Sequence, residues 1–165
     1  MGRFFPSRYE FIVNIVAPAN ITPMGVRLRL YRAMGIDCAS VVAAGCRIGS
    51  SGVRIGAGCM INRYCYFDDH ATIVIEDHVW VGMGAMFVTT THPIGPREQR
   101  AGMPVEAYPI RVGRGSWIGA RSLILPGVTV ADGCVVAAGS VLVESTEKDG
   151  LYVGVPARRV RDLSA

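Results

Sequence analysis

The chain is 165 residues long, 50% hydrophobic and carries a formal net charge of +4, which is material for one domain with an ample core. Its basic residues, among them Arg3, Arg27, Arg29, Arg32 and Arg47, are scattered rather than gathered into the aromatic-interleaved stripe that nucleic-acid binding uses. The apolar run from Phe11 to Ala17 is interrupted by Asn14 and is too short for a membrane span or an ordinary signal peptide, so a cytoplasmic protein with no nucleic-acid or membrane partner is expected.

In chain order, residues 1–21 offer Phe4, Phe5 and the 11–16 run as an apolar surface to lay against whatever follows. Thr22 can cap a helix, Pro23 suits its first turn and Gly35 can close it, which predicts a short helix over 23–34. From there a ruler applies. Ile36, Val42, Ile48, then Ile55, Ile61, Phe67, then Ile75, Val81, Phe87, then Val112, Ile118, Ile124, and finally Val130, Val136, Leu142 recur at six-residue spacing within each group. Two positions before the later ones stand Ser116, Ser122, Val128, Cys134 and Ser140. The spacing is neither helical nor that of a simple strand. One large and one small inward residue in every six describes a parallel β-helix with coils of about eighteen residues.

The fold expected is therefore all-β: residues 36–147 form the β-helix, 1–35 its N-terminal cap, and 148–165 a tail against the outer wall. The predicted helix would plug the open end, as terminal caps of solenoids must. Glycines such as Gly45, Gly58, Gly82, Gly119 and Gly139 fall at the corners, where positive φ is the expected reason for them. Cys46, Cys59, Cys65 and Cys134 occupy the small inward position, and no Cys-x-x-Cys pair occurs, so the thiols read as small core hydrophobes of a reducing compartment.

Slips of a residue or two occur at Gly52-Val53 and Ile73-Val74, and one large break separates Phe87 from Val112. After Phe87-Val-Thr-Thr-Thr-His92 the rhythm stops, and residues 93–109 contain four prolines, two glycines and Arg97-Glu98-Gln99-Arg100 with no period. A long insertion without structure of its own in a tight solenoid is functional or disordered. It leaves one corner and returns to the next coil, so it should project as an arm.

Asn62-Arg-Tyr-Cys65, Phe67-Asp68-Asp69, Thr91-His92-Pro93-Ile94, Trp117-Ile118-Gly119, Leu125-Pro126-Gly127-Val128-Thr129 and Gly154-x-Pro156-Ala157-Arg158 occur in that order. In this the chain resembles the hexapeptide-repeat O-acetyltransferases of the maltose, galactoside and nodulation-sugar type. The resemblance spans residues 36–161. It implies a left-handed coil, a homotrimer with sites between subunits, acetyl-CoA as co-substrate without a metal, and His92 as catalytic base. It also implies that Asn62, Asp68 and Asp69 face a small-molecule acceptor, and that Trp117, Ala120, Ala138, Arg158 and Arg161 lie along the CoA groove. The sequence departs from the family at Glu144, where a lysine is common, and at Ala120, where a serine is common.

Each of these residues also has a plainer reading. A lone histidine is ordinarily a surface residue, but His92 stands where the repeat breaks into the arm, and an imidazole titrates near neutrality, as a base for a hydroxyl should. Aspartates at a corner are routine turn residues. Trp117 can simply shield a coil, and Arg158 and Arg161 can be solvated, although a guanidinium is suited to clamp phosphate. His70, His78 and His92 raise the zinc site of gamma carbonic anhydrases, but the pairing of two histidines five residues apart is absent. Acetyl transfer to a hydroxyl is the function expected. Transfer to an amine, a zinc hydratase and a non-catalytic scaffold are the alternatives.

Overall fold

The computed structural model describes residues 7–50, 52–68 and 70–164. The strands of the coils stack in parallel into three sheets, the faces of a triangular prism, and build a left-handed β-helix as expected. The first face holds Asp37–Cys38, Val53–Ile55, Ile73–Ile75, Ile110–Val112 and Thr129–Val130. The second holds Val41–Val42, Met60–Ile61, Trp80–Val81, Trp117–Ile118, Val135–Val136 and Gly150–Gly154, closed by the antiparallel strand Ala157–Asp162. The third holds Arg47–Ile48, Tyr66–Phe67, Met86–Phe87, Leu123–Ile124 and Val141–Leu142.

Two-residue strands suffice because each ends on a large inward side chain that stacks on its equivalents above and below. Phe67 and Phe87 illustrate this, with ring centroids 4.9 Å apart and planes 8° from parallel. The slips in the repeat lengthen first-face strands to three residues, with Val53 and Ile73 as second inward positions. The ruler fails at its first mark. Cys38, not Ile36, is in register with Ile55. Ile36 instead ends the preceding helix: its N–H donates to Tyr31 O at 3.0 Å and that of Gly35 to Arg32 O at 3.0 Å, with Gly35 at φ +82°. This paired helix stop takes an apolar residue just after its glycine.

Helix α1 (Arg8–Phe11) runs into a π-type turn, Ile12–Val16, and helix α2 (Met24–Ala33) follows. Thr22 does not cap α2. The cap position is Pro23, and the Thr22 hydroxyl donates back to Val16 O at 2.7 Å. The N-terminal segment does close the solenoid's open edge, one side chain per face. Arg32 Nε donates to Cys38 O at 2.8 Å, Arg27 Nη1 to Val42 O at 3.1 Å, and the Asn14 amide both donates to Ile48 O and accepts from its N–H. Edge groups that would otherwise recruit another strand are thereby paired. At the other end Arg159 lies over the Tyr152 ring and donates to the carbonyls of Glu147 and Lys148.

Candidate active site

Immediately after the inward residues of the second face come Asn62, Gly82, Gly119 and Ala137, one per coil. Their N–H groups donate to Val81, Ile118, Val136 and Tyr152 carbonyls at 2.7–2.9 Å, so they form a column along the axis. Gly82 and Gly119 do not have positive φ. A Cβ on either would strike the backbone of Ala120 or Ala138 in the next coil, and close approach is what requires glycine there. Below Asn62 the wall is thus a shallow trough, floored by bare backbone at Gly82 and Gly119 and by a methyl at Ala137, about 14 Å long for three steps of about 4.8 Å between stacked strands.

Trp80 and Trp117 stand beside the trough in register, 59% and 57% exposed. At its lower end an apolar cavity of about 380 Å³ is lined by Trp117, Ala120, Val135, Ala137, Ala138 and Leu151. The fold therefore brings together Trp117, Ala120 and Ala138, three of the residues assigned from sequence to the CoA groove. Leu151, which sequence reasoning missed, is the fourth wall. Arg161 pairs with Leu151 and Arg158 with Val153 across the terminal hairpin, and cross-strand partners share a side of the sheet. Both arginines are exposed. Asn62 is half-buried and its Oδ1 accepts from Arg63 N–H at 2.7 Å, which leaves its NH2 as the group to offer a ligand.

His92 belongs to another corner. Residues 93–109, expected to be without structure, form a hairpin arm: Thr90–Thr91 pairs antiparallel with Glu106–Ala107, and Ile94 bridges Ala101. The arm is mostly exposed on both sides, so selection imposed no apolar alternation from which a ribbon could be read. His92 is exposed, with Nδ1 2.9 Å from Gly102 O across the hairpin. A carbonyl only accepts, so Nδ1 carries a proton, and in the neutral ring the lone pair is that of Nε2.

Asp68, expected to face the acceptor, is buried at the root of this arm. Its Oδ2 accepts from Thr89 N–H at 3.0 Å, Thr89 Oγ1 at 3.0 Å, Thr90 N–H at 3.1 Å and Thr90 Oγ1 at 2.8 Å. Asp69 lies outside the described residues. His70 Nδ1 is 3.7 Å from Asp68 Oδ1, while His78 occupies a left-handed corner position at φ +60°. Among the described residues no group of three or more His, Cys, Asp or Glu is placed to hold a metal ion. All five cysteines are buried. Burial pushes the Cys38 and Cys59 thiols up, and Cys46 and Cys65 both donate to Asn62 O, at 3.1 and 3.2 Å. Among the described residues no helix is long and apolar enough to cross a membrane.

Residues 109–144 match the family model described as the hexapeptide repeat of succinyl-transferase. Repeat, register and handedness together make the chain a hexapeptide-repeat β-helix protein. Its likeness to the acetyltransferases of that class holds in sequence and in structure. The chain is 31% identical over 114 residues to the galactoside O-acetyltransferase of Escherichia coli K12, covering 69% of this chain and 56% of that protein. It is 37% identical over 111 residues to a Staphylococcus aureus (strain COL) protein, 67% of this chain and 55% of the relative. The chain thus spans about half the length of these curated relatives. Among solved structures it is similar to a maltose O-acetyltransferase from Clostridium difficile 630 (TM-score 0.86, 23% identity, 95% of this chain and 85% of that one), a likeness of fold. A hexapeptide-repeat acetyltransferase from Vibrio cholerae, complexed with acetyl-CoA, gives a TM-score of 0.78 at 28% identity, covering 96% and 85% of the two chains.

Proposed function

We propose that this protein transfers an acetyl group from acetyl-CoA to a hydroxyl of a sugar or sugar-containing metabolite, with His92 as general base and with sites formed between the subunits of a cytoplasmic homotrimer. The observation that carries this reading is the trough of Gly82, Gly119 and Ala137, which runs from the Trp117, Ala120 and Ala138 cavity to Asn62. A cradle floored by two glycines and one alanine suits a slender chain such as pantetheine, and its apolar lower end beside Arg158 and Arg161 suits a ligand that ends in phosphates. The galactoside O-acetyltransferase among the similar proteins supports a sugar as acceptor.

In this reading the donor supplies the thioester, and the protein positions the hydroxyl against it. His92 Nε2 removes the hydroxyl proton as the oxygen bonds to the acyl carbon. As the carbon–sulfur bond breaks, the same proton passes to the leaving sulfur. Gly102 O holds Nδ1–H throughout, which fixes the tautomer. The Asn62 NH2 offers a hydrogen bond to the acceptor, and holding both partners in contact removes much of the entropic barrier.

The test is thiol release from acetyl-CoA with a panel of sugars, nucleosides and amines. Sugar-stimulated release is expected, and His92→Ala should lower it by about two to four orders of magnitude, the range for loss of a general base, with melting temperature nearly unchanged. A panel in which nothing stimulates release defeats the proposal. Retention of half the turnover by His92→Ala defeats the role of that residue.

A further inference from the structure

We propose that Asp68 is a positioning residue for acetyl transfer: its carboxylate clamps the root of the arm and thereby sets where the His92 imidazole meets the acceptor. This rests on the reading of His92 as the base. One oxygen, Oδ2, accepts all four donors that Thr89 and Thr90 possess, two N–H groups and two hydroxyls, at 2.8–3.1 Å. The Thr89 hydroxyl also accepts from Ala71 N–H at 3.3 Å. The returning strand is tied to the same point, since Tyr108 N–H donates to Thr89 O at 2.8 Å. Thr89 is fully buried.

Asp68 itself follows Phe67, an inward residue of the packed wall, so the clamp joins an exposed hairpin to that wall. The bonds farther out, Gly102 N–H to Pro93 O and Gly95 N–H to Arg100 O, hold the hairpin's own shape but say nothing of its angle to the wall. That angle is set at the root. His92 stands two residues beyond Thr90, about 7 Å at the rise of a strand, so a tilt of about ten degrees at the root moves it by about 1 Å. A displacement of that size costs about a hundredfold in a reaction that depends on alignment.

A charged acceptor serves this fan better than a neutral one, because hydrogen bonds to an ionised oxygen are roughly twice as strong. Asp68→Asn keeps the size and shape of the side chain while removing the charge. The experiment measures kcat, both KM values and melting temperature for Asp68→Asn in the wild-type and in the His92→Ala background. Asp68→Asn should lower kcat by about tenfold to a hundredfold with the acetyl-CoA KM within about twofold. In the His92→Ala background it should lower kcat by less than about twofold, because a residue that acts only through His92 has nothing left to act on. Wild-type kcat in Asp68→Asn, or a loss that repeats in full without His92, overturns the proposal. Should Asp68→Asn fail to fold, Thr90→Val and Thr90→Ser decide: the valine should lose kcat in the same way and the serine should keep it, and equal behaviour of the two overturns the clamp. High turnover in His92→Ala alone would instead defeat the assignment of the base, a result distinct from any of these.

Discussion

Arg27 carries a guanidinium into the N-terminal cap, where it is 4% exposed. It donates to four carbonyls, Ala17 at 2.7 Å, Thr22 at 2.9 Å, and Ala19 and Val42 at 3.1 Å. Taking a charge out of water costs several kcal/mol, and here charge-assisted bonds in the fork geometry of arginine offset it. One side chain thereby ties the irregular 17–22 segment to both α2 and the first coil. Arg27→Ala strands those carbonyls and should destabilise the protein by several kcal/mol, at about 1–3 kcal/mol for each buried acceptor left unsatisfied. Arg27→Lys should recover only part of this, since an ammonium cannot span the four acceptors. Urea unfolding curves measure both, and a loss below about 1 kcal/mol for the alanine variant would mean that water replaces the guanidinium. In sequence Arg27 is one more scattered basic residue. Its partners are backbone carbonyls, which no residue pattern marks, and the same is true of Gly102 O beside His92.

At the scale of the elements, what the sequence makes legible is whatever repeats. Inward Ile61, Val81 and Ile118 must be large because each fills the same slot of successive coils, so their spacing alone predicts the prism. The arm does not repeat and is solvated on both sides, so neither its hairpin nor its Asp68 clamp leaves a period. Ile36 misleads because a helix stop and a coil position ask for the same kind of residue. The glycines mislead in a more instructive way, since they serve two needs. Gly115 sits at φ +70° with open space where its Cβ would go. Gly119 has no positive φ, but a Cβ there meets the backbone of Ala138. Gly115→Ala should therefore cost only the left-handed conformation, about 1 kcal/mol, and leave catalysis alone. Gly119→Ala forces adjacent coils apart and should cost about 2 kcal/mol or more, in the range of overpacking, and it should also raise the acetyl-CoA KM by narrowing the trough. Denaturation and steady-state kinetics on the two variants separate these effects. Equal costs with unchanged KM values would show that the trough is not built by close approach.

For the whole molecule, the decisive geometry is the separation of Asn62 from the arm. Asn62 stands at the corner after the second face, and Asp68 with the arm's root at the corner after the third. A six-residue side spans at most about 20 Å, and the packed wall of the third face lies between. The outward residues of the second face, Val41, Met60, Trp80, Trp117, Val135 and Leu151, are apolar from top to bottom, whereas those of the first include Asp37, Arg54 and Arg111. An apolar column that long fits a neighbouring subunit, and in a closed trimer each interface joins two different surfaces, so one chain's arm can reach its neighbour's Asn62. If both residues serve one acceptor across that interface, inactive His92→Ala and inactive Asn62→Ala chains mixed in equal amounts should complement each other. Random assembly makes about a quarter of the interfaces carry an intact His92 facing an intact Asn62, so turnover should rise towards about a quarter of the wild-type value. The measurement is thiol release before and after denaturing and refolding the mixture, with each variant refolded alone and native mass spectrometry to count mixed trimers. Mixed trimers without activity above the single-variant controls would place His92 and Asn62 in separate sites and remove the intersubunit mechanism.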